Sequence, residues 1–118
     1  MTNLPPKGGY LLGIDAGTTA MKAVLFDQEG HSLGQASQEY QLHTPAPDRV
    51  ELEPERYWAA CCGCTQSLLA KTNVDPQAIA ALAISSQGET LVIVDEAGEP
   101  LYPAIVWLDN RSQAEANE

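Results

Sequence analysis

At 118 residues the chain has the length of one domain or of a slice of a larger one. Its 16 acidic against 6 basic side chains give a formal net charge of -10, which excludes a general binder of nucleic acid or of an anionic membrane. No apolar run approaches the roughly 20 residues needed to span a bilayer, while a small anion held by backbone N–H groups and one lysine stays compatible with the charge. Met1 to Gly9 has no apolar core and no secretory pattern, and with Pro5-Pro6 and Gly8-Gly9 as breakers it reads as a disordered leader.

Tyr10 to Ile14 and Met21 to Asp27 read as two short apolar strands joined by a tight turn rich in hydroxyl groups. Within that turn Gly17 offers positive φ and close backbone approach, and Thr18 and Thr19 offer hydroxyl donors and N–H groups suited to a phosphate oxygen. Lys22 can reach the same place as a point charge. Asp15 repels a bare phosphate, but beside magnesium or its waters it becomes a ligand of the ion that neutralises one. From these residues alone two readings stand: a nucleotide-phosphate hairpin, or a plain β-hairpin whose Asp and Thr make turn hydrogen bonds.

Asp27-Gln28-Glu29-Gly30 is a turn with Gly30 placed for positive φ. His31 to Leu42 alternates loosely as a third antiparallel strand with one solvated face. His43 to Val50 is a loop, because Pro45 and Pro47 deny a ladder its N–H groups. Neither histidine has an evident partner. Glu51 to Asn73 contains a helix, with Pro54 at a first helical position, Glu53 and Glu55 at the positive end and Lys71 at the other. Tyr57, Trp58, Cys61, Cys62, Thr65, Leu68 and Leu69 form its apolar stripe. Trp58 reads as a sugar-stacking platform or, better at this spacing, as a helix-to-sheet packing anchor. Cys61, Cys62 and Cys64, an odd and clustered set, suit a reducing cytoplasm; they read as small buried helix residues, since no second cluster completes a metal site.

Asp75-Pro76-Gln77 opens a helical turn, and Ile79 to Ile84 follows as a buried strand ending at Ser85-Ser86-Gln87-Gly88-Glu89-Thr90. Leu91 to Val94 is another short strand closed by the Asp95-Glu96-Ala97-Gly98 turn. Leu101 to Trp107 is extended and interrupted by Pro103. Asp109 to Ser112 starts a helix, with Asn110 or Ser112 as cap, that the sequence leaves unfinished, which suggests truncation. The order β-β-β-α-β implies a mixed sheet whose ligands collect at strand carboxyl ends, where Asp15 and Ser85-Ser86-Gln87 lie.

Together these segments resemble the N-terminal part of the FGGY carbohydrate kinases, whose α/β fold is ribonuclease-H-like and shared with actin and hexokinase. Gly13-Ile14-Asp15-Ala16-Gly17-Thr18-Thr19, Ala83-Ile84-Ser85-Ser86-Gln87-Gly88-Glu89-Thr90 and Pro103-Ala104-Ile105-Val106-Trp107-Leu108-Asp109-Asn110-Arg111 carry the resemblance in the right order. It covers nearly the whole chain and makes residues 10–118 the N-terminal portion of the family's first domain, a partial domain. It implies ATP-dependent phosphorylation of a sugar or polyol hydroxyl, with ATP and Mg2+. Asp15, Gly17, Thr18 and Thr19 would meet the phosphates, Asp15 also the metal, directly or through water, and Lys22 would assist. Gln87, Gly88, Glu89 and Trp107 would line the sugar site.

Two departures bear on the substrate and the turn. The glycerol-kinase version of the second motif has Arg where this chain has Gly88, so one group that binds polyol hydroxyls is lost and room is left for a longer ketose or polyol. Room alone names no substrate, and xylulose and glycerol both stand as candidates. A Ser of the phosphate turn is replaced by Ala20. The general base, an aspartate, and the adenosine-binding domain are expected later in the parent chain, so the short piece alone is expected to lack turnover and to self-associate through exposed strand edges. A homo-oligomer in the cytoplasm, binding neither nucleic acid nor membrane, completes the expectation. The alternative is a non-enzymatic ATP-binding switch or scaffold of the actin-like superfamily, which needs Asp15, Gly17 and Thr18 but no sugar-lining Gln87, Gly88, Glu89 or Trp107.

Overall fold

The computed structural model describes residues 9–118, so the expected leader, apart from Gly9, lies outside the described residues. Strands β1 (Tyr10–Ala16) and β2 (Ala20–Phe26) pair antiparallel, and β3 (Ser32–Glu39) pairs antiparallel with β2. Gly30 takes φ +87° at the β2–β3 turn, as its position requires. After a two-residue strand β4 (Glu51–Leu52) comes the long helix α1 (Pro54–Thr72), and a 3-10 turn over Pro76–Ala78 leads into β5 (Ile79–Ser86). β5 lies parallel to β1, which gives a mixed sheet in the order β3-β2-β1-β5. β6 (Ala104–Ile105) pairs with β4 in a second small sheet, and a single turn of helix, α2 (Gln113–Ala116), closes the chain.

Local signals set the bounds of α1. Pro54 occupies the first turn with Glu55, Lys71 lies in the last, and Asn73 takes the left-handed conformation that ends the helix (φ 52°). The helix packs on β2 and β3 and hardly reaches β1. Ala60, Cys64 and Leu68 face Met21, Ala23 and Leu25 of β2 and Ala36 of β3, all buried. Small residues at this contact let the two backbones close up, and a Cβ on Gly34 would sit 2.7 Å from the Thr72 methyl. Of the cysteines only Cys64 is fully buried; Cys61 and Cys62 are partly so, and all three are free thiols.

This packing overturns several expectations. Trp58 is no packing anchor. It is 71% exposed, because the buried stripe runs through Ala60, Cys64 and Leu68 and leaves it to one side. Trp58→Ser is therefore expected to change the unfolding free energy by less than about 0.5 kcal/mol in a denaturant titration. β5 is a strand as expected but not a buried one: Leu82 is 55% and Ile84 65% exposed, since α1 stops short of covering them. Leu91 to Val94 forms no strand, only isolated bridges from Leu91 to Ile105 and from Val94 to Pro100. Pro100 and Pro103 lack the N–H groups a longer ladder needs. His31 does have a partner, the Asp27 carboxylate 2.9 Å from its Nδ1, and this hydrogen bond raises the imidazole pKa.

Candidate active site

The three sequence motifs meet at one end of the sheet. In register, Asp15 stands opposite Lys22 on β2 and Ser85 on β5. Ile14, Met21 and Ala23 are buried toward α1, so alternation puts exposed Asp15 and Lys22 together on the open face. Gly13, Asp15, Val24, Phe26, Ala83 and Ser85 line a shallow hollow there. Another hollow, bordered by Gln41, His43, Glu53 and Arg56, contains none of the expected site residues.

The turn after β1 is held from several sides. Gly17 N–H donates to Ala20 O at 3.0 Å. Gly17 is absent from the positive-φ positions, contrary to expectation; its need for glycine comes from crowding, since a Cβ there would lie 2.9 Å from Ala20 O. The Gly17 carbonyl accepts from the Tyr40 hydroxyl and, at 3.0 Å, from Gln87 Nε2. Burial, and secondarily the charges around Tyr57 and Asp15, push the Tyr40 pKa up to about 12, so this hydroxyl keeps its proton and can donate. The Tyr40 ring rests edge-on against Tyr57, with centroids 5.2 Å apart. Tyr40 N–H donates to Thr19 O (3.0 Å) and Gln87 N–H to Ala16 O (2.9 Å), so backbone bonds hold both sides of the turn.

From the other direction, the Trp107 indole N–H donates to Thr18 Oγ1 at 2.8 Å. Trp107 is 48% exposed, so its ring is an open surface, not a core aromatic. Its backbone N–H donates to Thr90 Oγ1 (3.2 Å), whose hydroxyl donates to Gln87 Oε1 (2.8 Å). Glu89 projects from this loop with φ +63°, a left-handed conformation costing a non-glycine residue about 1–2 kcal/mol. Gly88 needs no such conformation, and a Cβ there would meet nothing within 4 Å. The chain holds two tryptophans. Replacing Thr18 by Val is therefore expected to move one indole N–H signal upfield in a nitrogen-edited NMR spectrum and leave that of Trp58 in place.

The third motif is anchored by a cluster the sequence reading did not single out. Arg111 forms a fork with Asp109, Nε to Oδ1 and Nη2 to Oδ2, both 2.7 Å, and Nη2 also reaches Glu51 Oε1 at 2.8 Å. Asp109 Oδ2 accepts Val50 N–H (2.7 Å), and the Tyr102 hydroxyl donates to Glu51 Oε1 (3.0 Å). The Arg111 guanidinium holds both carboxyls below the usual carboxylate range. Glu51 and Arg111 are 60 positions apart, so no spacing rule pairs them. Tyr40, Tyr57 and Thr90 were likewise missed as site residues. Only Thr90 carried a signal, its place in the second motif.

Asp15, the exposed Thr19 hydroxyl and the half-buried Thr18 hydroxyl offer hard oxygen atoms and donors at a strand end, a set that fits a magnesium ion and the phosphates it accompanies. The family pattern described as the FGGY family of carbohydrate kinases, N-terminal domain, matches residues 10–118. The chain belongs to the FGGY family of carbohydrate kinases. It is 41% identical over 110 residues to a glycerol kinase of Carboxydothermus hydrogenoformans, covering 92% of this chain and 22% of that protein. Among solved structures it is similar to a xyloylose kinase from Brucella ovis (TM-score 0.88, 31% identity, covering 92% of this chain and 23% of that one). Gluconate kinase from Lactobacillus acidophilus matches with a TM-score of 0.79 at 30% identity, over 92% of this chain and 21% of that one. The FGGY chain thus spans about a fifth of the length of the relatives it matches. Its mixed sheet matches the N-terminal part of sugar kinases of the actin- and hexokinase-like fold.

Proposed function

We propose that the whole protein transfers the γ-phosphoryl group of ATP to a hydroxyl of a sugar or polyol. The carrying observation is the 2.8 Å hydrogen bond from the Trp107 indole to Thr18, which joins the sugar-lining motif to the phosphate turn. In this reading the hydroxyl oxygen displaces ADP from the γ-phosphorus, and the hydroxyl proton passes to an aspartate outside these 118 residues. The Thr19 N–H group and the Thr18 hydroxyl bind the phosphates beside the turn that Gly17 makes tight, its own N–H held by Ala20 O, and Lys22 adds positive charge on the open face. Asp15 holds the magnesium ion or its water, and the ion supplies charge neutralisation at the phosphate oxygens. Glu89 accepts hydroxyl hydrogen bonds, beside the open Trp107 ring and the space at Gly88. A switch that only binds nucleotide leaves the strained Glu89 and the open Trp107 ring without a role.

The open space at Gly88 supports a ketose or longer polyol over glycerol. ATP consumption and thermal shift of the whole protein with glycerol, D-xylulose and D-gluconate test this. The expected result is Mg2+-dependent turnover with a preference for the longer substrates, and no turnover with any sugar or polyol in a wider panel would overturn it. A Cβ at position 88 meets nothing within 4 Å, and Gly88→Arg is expected to raise kcat/KM for glycerol about tenfold, the worth of one charge-assisted hydrogen bond. The free thiols support a reducing cytoplasm. Among the described residues the outer edge of β5 is unpaired, uncharged and without proline, which supports self-association of the isolated 118-residue piece.

A further inference from the structure

Trp107 reaches the phosphate turn by two routes. The direct one is the indole N–H to Thr18 Oγ1 (2.8 Å). The other runs through the Trp107 backbone N–H to Thr90 Oγ1 (3.2 Å), Thr90 Oγ1 to Gln87 Oε1 (2.8 Å) and Gln87 Nε2 to Gly17 O (3.0 Å). Since Gly17 and Thr18 are bonded neighbours, the routes close a ring.

The chemistry of the members fixes its direction. An indole N–H can only donate, so Thr18 Oγ1 is the acceptor and its own proton points elsewhere, free to donate to a ligand. Donation into Oγ1 also polarises the hydroxyl and strengthens the bond it then makes. The Gln87 amide is occupied at both ends: Oε1 by Thr90, Nε2 by Gly17 O and, at 3.5 Å, by the Tyr57 hydroxyl. Its backbone N–H is bonded to Ala16 O as well.

We infer that this ring couples the two substrates: Trp107 and Gln87 are positioning residues that set the Thr18 hydroxyl and the Gly17 carbonyl, so that a sugar seated against Trp107 tightens the phosphate turn around the nucleotide. Gln87 is thereby moved from the sugar-binding residues, where the sequence placed it, to the tie between the sites. The inference rests on the kinase reading above.

The readout is the coupling factor, the ratio of MgATP dissociation constants without and with sugar, measured calorimetrically on the whole protein. As a ratio it divides out changes in either basal affinity, which a merely structural defect would produce. With glycerol, D-xylulose and D-gluconate as probes, at least one is expected to give a wild-type factor of about fivefold or more. Trp107→Phe, which keeps an aromatic face and removes the N–H, is expected to bring the factor near 1. Thr18→Val should do the same, Thr18→Ser should restore it, and Thr90→Val should lower it part-way. A wild-type factor retained by Trp107→Phe overturns the inference. A wild-type factor of 1 with every probe also overturns it, while leaving the kinase reading to the ATP-consumption assay. Absence of MgATP binding overturns both.

Discussion

Asp15→Asn is expected to lower kcat of the whole protein about 100-fold, with thermal shift by sugar alone changed little. Asp15 stands exposed on the open face beside the turn, with Lys22 and Ser85 across from it in register. The substitution keeps size and shape and removes the charge. A neutral amide oxygen holds magnesium less firmly, and phosphoryl transfer depends on neutralising charge around the transferring group rather than on covalent chemistry by the protein. A higher Mg2+ requirement should accompany the loss, because the defect is in the ion's seat and not in the sugar site. Turnover within about threefold of wild type at the same Mg2+ concentration would remove Asp15 from the metal-binding role.

The second large effect is on stability. Asp109→Ala is expected to cost about 3 kcal/mol, because it leaves part of a partly buried ionic cluster and the Val50 N–H without their partner. The Asp109 side chain is only 3% exposed and serves both the Arg111 fork and the Val50 N–H. Arg111 would keep Glu51 but lose two of its short bonds. At about 4 °C per kcal/mol for a domain of this size, the midpoint should fall by about 12 °C in a thermal melt. A fall of less than about 3 °C would show that β4 and the third motif hold together without the cluster.

The same cluster sets an acid dependence. Both Asp109 and Glu51 have folded-state pKa values below those of the unfolded chain, chiefly through hydrogen bonds from Arg111. The unfolded chain therefore binds protons first as the pH drops. The stabilisation is fully present above the ordinary carboxylate pKa of about 4 and is lost as the pH falls below it. Asp109→Ala should flatten that acid limb.

The sequence by itself determined the elements whose causes are local. Pro54, Glu55, Lys71 and Asn73 bound α1, Gly30 turns β2 into β3, and Asp15, Gly17, Thr18 and Thr19 mark the turn after β1. Each depends on residues a few positions apart, so the string alone carries the signal. The tertiary structure decided what depends on distant neighbours. Trp58 faces solvent and β5 lies uncovered because α1 settles on β2 and β3 through small side chains, and no periodicity states how far a helix reaches across a sheet. Gln87 ties to Gly17 over 70 positions, and Trp107 to Thr18 over 89. Such bonds form only once the parallel β1–β5 pairing has brought both ends together. Motifs could name residues for this corner of the molecule, but only the register of the sheet could say which of them touch each other and which are left free to meet a ligand.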